Sequence, residues 1–268
     1  MQYSLVDGVR RHPSPKARGA CPLCGRATLA KCGSQIVWHW AHDRSLNCDP
    51  WWEGETEWHL GWKARFPEEW REVVQHDRSA NERHIADVVT SRGLVIELQN
   101  SPMPEGELKA REAFYGRMIW IVNAQSFASS FHIGLALPRP DCSLSSEVVI
   151  VPRYSRVDAV AFWWRRNWDT APQLVEPERL RRIKDSIPGL YAGDHLFKWV
   201  RPRWVWVNAT CPVFFDIGGD DLLWLRTHPS VGSHCVRMVS RQDLIRKNGG
   251  DPGPGPYHST SRGPAVAG

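Results

Sequence analysis

The chain has no uninterrupted apolar stretch long enough to cross a membrane, and Met1 to Gly19 is charged and Pro-containing, without the apolar centre of a secretory leader. No membrane association is expected, and the protein reads as cytoplasmic. Lysine is scarce, so the formal charge of +5 is carried almost wholly by arginine, the side chain that forks onto phosphates and stacks on bases. No internal repeat is present. Seven cysteines are an odd number in a long chain, and Cys21, Cys24, Cys32 and Cys48 crowd its first fifth, so metal ligation is expected rather than a disulfide framework. What is present suffices for a globular protein: 268 residues, 42% apolar, can bury the core of one large domain or two modest ones. Fifteen tryptophans supply core material and add stacking capacity.

Cys21-Pro-Leu-Cys24-Gly25 sets two thiolates on a tight knuckle, half of a tetrahedral zinc site. His42 and Cys48 complete the set, with His39 and Cys32 as alternative ligands. Four protein ligands leave no open coordination position, so this Zn²⁺ is expected to stabilise a small module while chemistry happens elsewhere.

The segment from Glu82 to Ser101 places acids where a core strand should not hold them. Ile85 to Val89 and Leu94 to Leu98 are β-branched runs joined by Thr90-Ser91-Arg92-Gly93, a hairpin signature. Alternation puts Val95, Glu97 and Gln99 on one face. Burying a lone carboxylate costs several kcal/mol unless it is paired, protonated or metal-bound, and this hairpin brings Asp87 and Glu97 near enough to share a cation. Two readings of D-x9-E-x-Q follow: a hard-metal site, or an edge hairpin whose acids face water.

Around the hairpin, Glu53 to Lys63 has helical spacing, with Glu55, His59 and Lys63 on one stripe; Arg71 to Gln75 reads as a strand, Glu105 to Arg117 as a helix and Met118 to Val122 as a strand. The order is helix, three strands, helix, strand. With its acids, this order resembles the core of the PD-(D/E)XK nuclease superfamily, and more narrowly the competence protein CoiA-like family. The resemblance rests on Cys21-Pro-x-Cys24, His39-Trp-Ala-His42, Cys48, Glu55-Thr-x-x-His59-x-x-x-Lys63, Ala86-Asp87-Val88, Glu97-x-Gln99-x-Ser101, and Arg111-x3-Tyr115 leading into Ile119-Trp120-Ile121. It spans roughly residues 20 to 125. Gln99 stands where many members carry Lys, an E-x-Q variant that CoiA-like proteins resemble, and Lys63 either supplies the missing charge from the helix or is an exposed side chain there.

The resemblance implies a metal-dependent deoxyribonuclease in which Asp87 and Glu97 hold Mg²⁺ or Mn²⁺, Glu55 contributes directly or through water, and Gln99 orients a water or a phosphate oxygen. His59 is a further contact or proton-transfer candidate, or else a helix-face residue bonded to a neighbour. The partner is DNA, single- or double-stranded, with protein partners in recombination or defence. The alternative is a DNA-binding or recombination-accessory protein that uses the same fold without cutting.

The expected fold class is therefore α/β: a zinc-binding module over 1–50, a nuclease-like core over 51–125, a C-terminal α+β extension over 126–248, and a Gly-, Pro- and Ser-rich disordered tail over 249–268. Within the extension, 156–168 and 180–187 read as helices, 195–206, 212–217 and 222–225 as strands, and 240–247 as a short helix. Trp163, Trp164, Arg165 and Arg166 combine aromatic and basic groups, readable as a nucleic-acid path or as a buried Trp pair with paired arginines.

Overall fold

Glycines, prolines and polar residues break the opening of the chain into short segments, and these become short strands. In the computed structural model, which describes residues 1–43, 48–78, 80–153 and 156–253, β1 (Ser4–Val6), β2 (Val9–Arg11), β3 (Arg18–Ala20), β4 (Ala27–Lys31) and β5 (His39–His42) form an antiparallel sheet ordered β2-β1-β3-β4-β5. Its first turn is Asp7-Gly8, at φ 51° and 74°, the paired left-handed conformation of a two-residue hairpin.

The next elements are α1 (Glu57–Lys63), β6 (Arg71–Asp77), β7 (Glu82–Val89), β8 (Val95–Gln99), α2 (Glu105–Tyr115) and β9 (Met118–Asn123), in the helix, three strands, helix, strand order read from the sequence. Their strands lie in the order β9-β8-β7-β6, with β6, β7 and β8 antiparallel in turn. All five residues of β8 are buried, so both faces of this strand are covered and Glu97 and Gln99 are internal.

The chain divides into two compact units, one of Met1–Ile121 with the residues from Gln242 on, the other of Val122–Arg241. The second contains β10 (Phe131–Pro138), α3 (Ser143–Glu147), β11 (Val148–Arg153), β12 (Arg156–Trp164), α4 (Pro177–Leu190), β13 (Tyr191–Trp199), α5 (Trp204–Val207), β14 (Val213–Asp216), β15 (Asp221–His228) and β16 (Val231–Ser240). Its strands follow the order β10-β13-β16-β15-β14, and β11 and β12 form a separate antiparallel pair. Leu137, Val148, Ile150, Phe162, Ile183, Ile187, Leu196 and Cys235 make the core of this unit. The architecture as a whole is mixed α/β.

Two local expectations are corrected. The stretch 156–168 is a strand, β12, followed by a 3-10 turn over Arg165–Asn167, because its Val, Phe and Trp residues pair with β11 across a ladder from Val148↔Trp164 to Pro152↔Val160. The end of the expected 195–206 strand is instead the short helix α5, since β13 stops at Trp199. Helix α6 (Arg241–Lys247) follows β16, and after it Gly250 sits so close to the Arg65 carbonyl and Phe66 that an added Cβ would lie 2.5 Å from that oxygen. Of the tail read over 249–268, residues 249–253 are thus held against the first unit, and 254–268 lie outside the described residues. No helix among the described residues is long and apolar enough to cross a membrane.

Candidate metal centre and acidic site

The Cys21 knuckle closes as its spacing requires: the Cys21 N–H donates to the Arg26 carbonyl, the Gly25 N–H donates to the Cys21 carbonyl, and Gly25 turns the chain at φ 74°. His42 ends β5, and Cys48 follows on the next described segment. Cys21 Sγ lies 3.7 Å from Cys48 Sγ, Cys24 Sγ lies 3.3 Å from His42 Nε2, and all four donor atoms fall within 4.8 Å of one another. With Zn–S of about 2.3 Å and Zn–N of about 2.0 Å, the edges of a tetrahedral site are about 3.8 and 3.5 Å, so this Cys3His cluster fits a metal ion such as zinc. The alternative ligands are elsewhere engaged or apart: His39 Nδ1 faces the Val37 carbonyl at 2.8 Å, and Cys32 does not join the cluster.

The second site begins where a sheet ladder opens. β7 and β8 pair at Val88↔Ile96 and Val89↔Val95, next to the turn. One step further, where the register sets Asp87 opposite Glu97, side chains replace the ladder: the Asp87 N–H donates to Glu97 Oε1 at 3.2 Å, and the Leu98 N–H donates to Asp87 Oδ2 at 2.9 Å. On the other side of β7, the pairs Arg71↔Val88 and Val73↔Ala86 bracket Glu72 and set it opposite Asp87. Three carboxylates therefore form one row across three strands, an arrangement that is destabilising unless cations lie among them.

The cations come from the two helices. Lys63, fully buried at the end of α1, places Nζ 2.7 Å from Glu55, 2.9 Å from Glu72 and 3.6 Å from Asp87. Arg111 of α2 reaches Glu97 at 3.0 Å and also pairs with Glu107 and the Trp51 carbonyl. The chain reaches the site through Asp49, next to Cys48, which accepts from His84 Nδ1 and the Ile85 N–H on β7. Glu55 precedes α1 rather than lying on it, because Thr56 caps the helix. His59 completes that cap: the Thr56 hydroxyl accepts from the His59 N–H, the Thr56 N–H donates to His59 Nδ1, and His59 Nε2 faces Glu53 at 3.4 Å.

Four carboxylates, Glu55, Glu72, Asp87 and Glu97, thus face Lys63 and Arg111, with the N-terminal ammonium also acting on Glu55 and Glu72. The shortage shows in their protonation. Burial and then the charge of Asp87 push the Glu97 carboxyl up to about 8 against the pull of Arg111. Burial likewise raises Glu55, although Lys63 opposes it. Glu72 goes the other way: burial works against its charge, but Lys63, the N-terminal ammonium and the N–H of Gln2 overcome it and hold the carboxyl at about 2. Gln99 donates from Nε2 to the Ser101 carbonyl and hydroxyl, which fixes the amide and leaves its buried Oε1 without a partner. Surplus carboxylates beside an orphaned amide oxygen are the donors that a hard divalent cation takes. Asp87 is the acid open to entry, with its side chain 22% exposed against 3% for Glu97. These acids are neighbours rather than a finished cage: among the described residues, three or more His, Cys, Asp or Glu donor atoms converge as a metal-holding group at the Cys3His cluster.

Glu72 is the member that the sequence reading missed. Its signal was the one that marked Asp87, an acid inside a β-branched run, but it lay outside the matched motif. It takes φ +46°, a left-handed conformation that costs a non-glycine residue on the order of 1–3 kcal/mol and is kept where surrounding contacts over-determine it. Those contacts are the N–H groups of Gln2 and Tyr3 and the Lys63 ammonium. Glu72→Gln should cost about 3–5 kcal/mol in chemical denaturation, the range for breaking a buried pair from one side. Its pH signature has a definite sign. A carboxyl held at about 2, below its ordinary 4.5, stabilises the fold above that ordinary value, and this contribution is lost as pH falls toward 2. The variant should show a flatter acid limb than the parent; parallel limbs would contradict the assignment.

Comparison of the chain with protein-family models, with curated proteins and with solved structures finds no match.

Proposed function

We propose that the protein is a divalent-metal-dependent nuclease acting on DNA phosphodiesters, with a PD-(D/E)XK-type core of the CoiA-like kind and a structural Zn²⁺ on Cys21, Cys24, His42 and Cys48. The observation that carries this reading is the row of carboxylates at the opened ladder, short of positive charge and reachable at Asp87. Asp87 and Glu97 would hold Mg²⁺ or Mn²⁺, with Glu55 beside them. When bound, such an ion lowers the pKa of a water and stabilises charge on the attacked phosphate. The chain's own groups divide the remaining work. Lys63, 3.6 Å from Asp87, provides the positive charge that the Gln99 position lacks. Gln99, with its Nε2 committed to Ser101, can only accept, so its Oε1 suits the O–H of an attacking water rather than a phosphate oxygen. His59 acts through the helix cap and through Glu53.

One observation favours a second reading, a DNA-binding or recombination-accessory protein that does not cut: Lys63 and Arg111 already pair with the acids that would take the metal. A cytoplasmic setting and protein partners in recombination or defence go with either reading. Purified protein incubated with single-stranded, duplex and branched DNA with added Mg²⁺, with added Mn²⁺ or with neither separates the two. Cleavage with the added metal and none without it is the expected result. Binding without cleavage under every metal would replace the nuclease reading with the second.

A further inference from the structure

Of the aromatic and basic stretch at Trp163 to Arg166, Trp164 is buried and Trp163 half-buried, while Arg165 and Arg166 are exposed. Trp164 is 9% exposed, with the Arg179 guanidinium 4.8 Å from its ring centre, and Arg165 donates to the Pro229 carbonyl. An open surface of the same chemistry lies elsewhere in the second unit, on Trp199-Val200-Arg201-Pro202-Arg203-Trp204, between β13 and α5. Trp204 is 65% exposed, and Val200 beside it 39%. Trp199 and Phe131 are half-buried with ring centres 5.0 Å apart, and Phe127 stacks near Trp199 at 5.9 Å and 13°. The Arg203 guanidinium lies 3.8 Å from the Phe127 ring centre, which holds the side chain flat on the aromatic surface while the residue stays exposed.

Acids fix several other arginines of this unit. Arg226 and Arg237 are matched to the buried Asp194, and Arg241 to the buried Asp216. Among the described residues, neither Arg201 nor Arg203 has an acidic partner. Arg201 also holds φ +58°, a left-handed conformation rare outside glycine, in the turn that presents the pair. Guanidinium groups without an acidic partner next to an exposed indole are the two components of single-strand recognition: phosphates meet the cations, and bases stack on the ring. A duplex keeps its bases stacked inside and offers the rings nothing.

We propose that the surface of Arg201, Arg203 and Trp204, with the half-buried Trp199, binds single-stranded nucleic acid by stacking bases on its tryptophans and seating phosphates on its arginines, while Phe127 and Phe131 support them from beneath. As a statement about substrate form, this rests on the nuclease reading; as a binding site it stands on the second unit alone.

The test is fluorescence anisotropy of labelled oligothymidylate and of a hairpin duplex, with the full chain in buffer without added Mg²⁺ or Mn²⁺, so that nothing is cut and the zinc stays in place. Trp204→Ala removes an exposed ring and should weaken oligothymidylate binding about tenfold, within the range for one stacked base, while duplex binding changes little. The double variant Arg201→Gln with Arg203→Gln should weaken it too and reduce the salt slope by about 1.4, from two phosphate contacts on a single strand. A thermal melt matching the parent excludes misfolding as the cause. Unchanged oligothymidylate affinity in Trp204→Ala and the double variant, or equal losses on single strand and duplex, overturns the proposal. Metal-dependent cleavage by the parent alongside unaffected binding in the variants would leave the nuclease reading standing and remove this one. Lost binding in the variants, with no cleavage under any metal, would do the reverse.

Discussion

Cys24→Ser, or treatment of the parent with a strong chelator, is expected to unfold the N-terminal sheet, with a loss of several kcal/mol. The strands of that sheet are three to five residues long, and its buried apolar cluster consists of Met1, Cys21, Leu23 and Trp40. Such a sheet buries too little apolar surface to be stable unaided. A structural zinc binds with an apparent energy on the order of 10 kcal/mol or more, and that energy becomes folding energy because the unfolded chain has no preformed site. Elemental analysis should find one zinc per chain in the parent and little in Cys24→Ser, with Cys32→Ser as the unaffected control. Circular dichroism melts should show the variant far less stable than the parent. Equal melts, or no zinc in the parent, would remove the metal from the account. The effect should spread, since the Gln2 and Tyr3 N–H groups that Glu72 accepts from belong to this same N-terminal segment.

The second large effect concerns activity. Asp87→Asn should lower single-turnover cleavage by orders of magnitude while leaving the fold in place. The choice of Asn over Ala follows from the geometry: Asp87 Oδ2 satisfies the Leu98 N–H, and an amide oxygen can still do so while no longer offering a charge to a cation. Ala would remove that acceptor as well and leave the Leu98 N–H unpaired, mixing stability with chemistry. Gln99→Ala deletes a neutral acceptor and should cost less, about 10² to 10³-fold, the range for one preorganised group. If Asp87→Asn cuts as fast as the parent, the reactive site is not on this hairpin.

The parts of this arrangement that were legible in the sequence are local ones. The β-branched runs around Thr90-Ser91-Arg92-Gly93 specified β7 and β8, and Cys21-x2-Cys24 with His42 and Cys48 specified the ligands that converge. Glu72 was not legible, because its role depends on a register between strands that no single segment encodes. Nor was the burial of Lys63: a charged residue on a helical stripe reads as solvated, and only the arrival of Glu55, Glu72 and Asp87 makes its interior position tolerable. The β12 error has a related cause. A run of Val, Phe and Trp fits a helix or a strand equally well until the partner β11 is known. Likewise, the surface around Trp204 is invisible to periodicity, since its rings come from segments more than 70 residues apart, at Phe127 and at Trp199 to Trp204.

The opened ladder between β7 and β8 also turns two main-chain groups into instruments. The Asp87 and Leu98 amides donate to carboxylates instead of to carbonyls, so their proton resonances sense ionisation and cation contact directly. In an NMR spectrum of the labelled chain, the Asp87 amide should move as pH passes through about 8, where Glu97 titrates. Added Mg²⁺ should shift both amides while leaving the Thr90 amide, which donates to the Leu94 carbonyl at the turn, in place. Two backbone signals would then follow the state of the site with no substrate present, and solvent exchange at the same positions would show how often the fork opens.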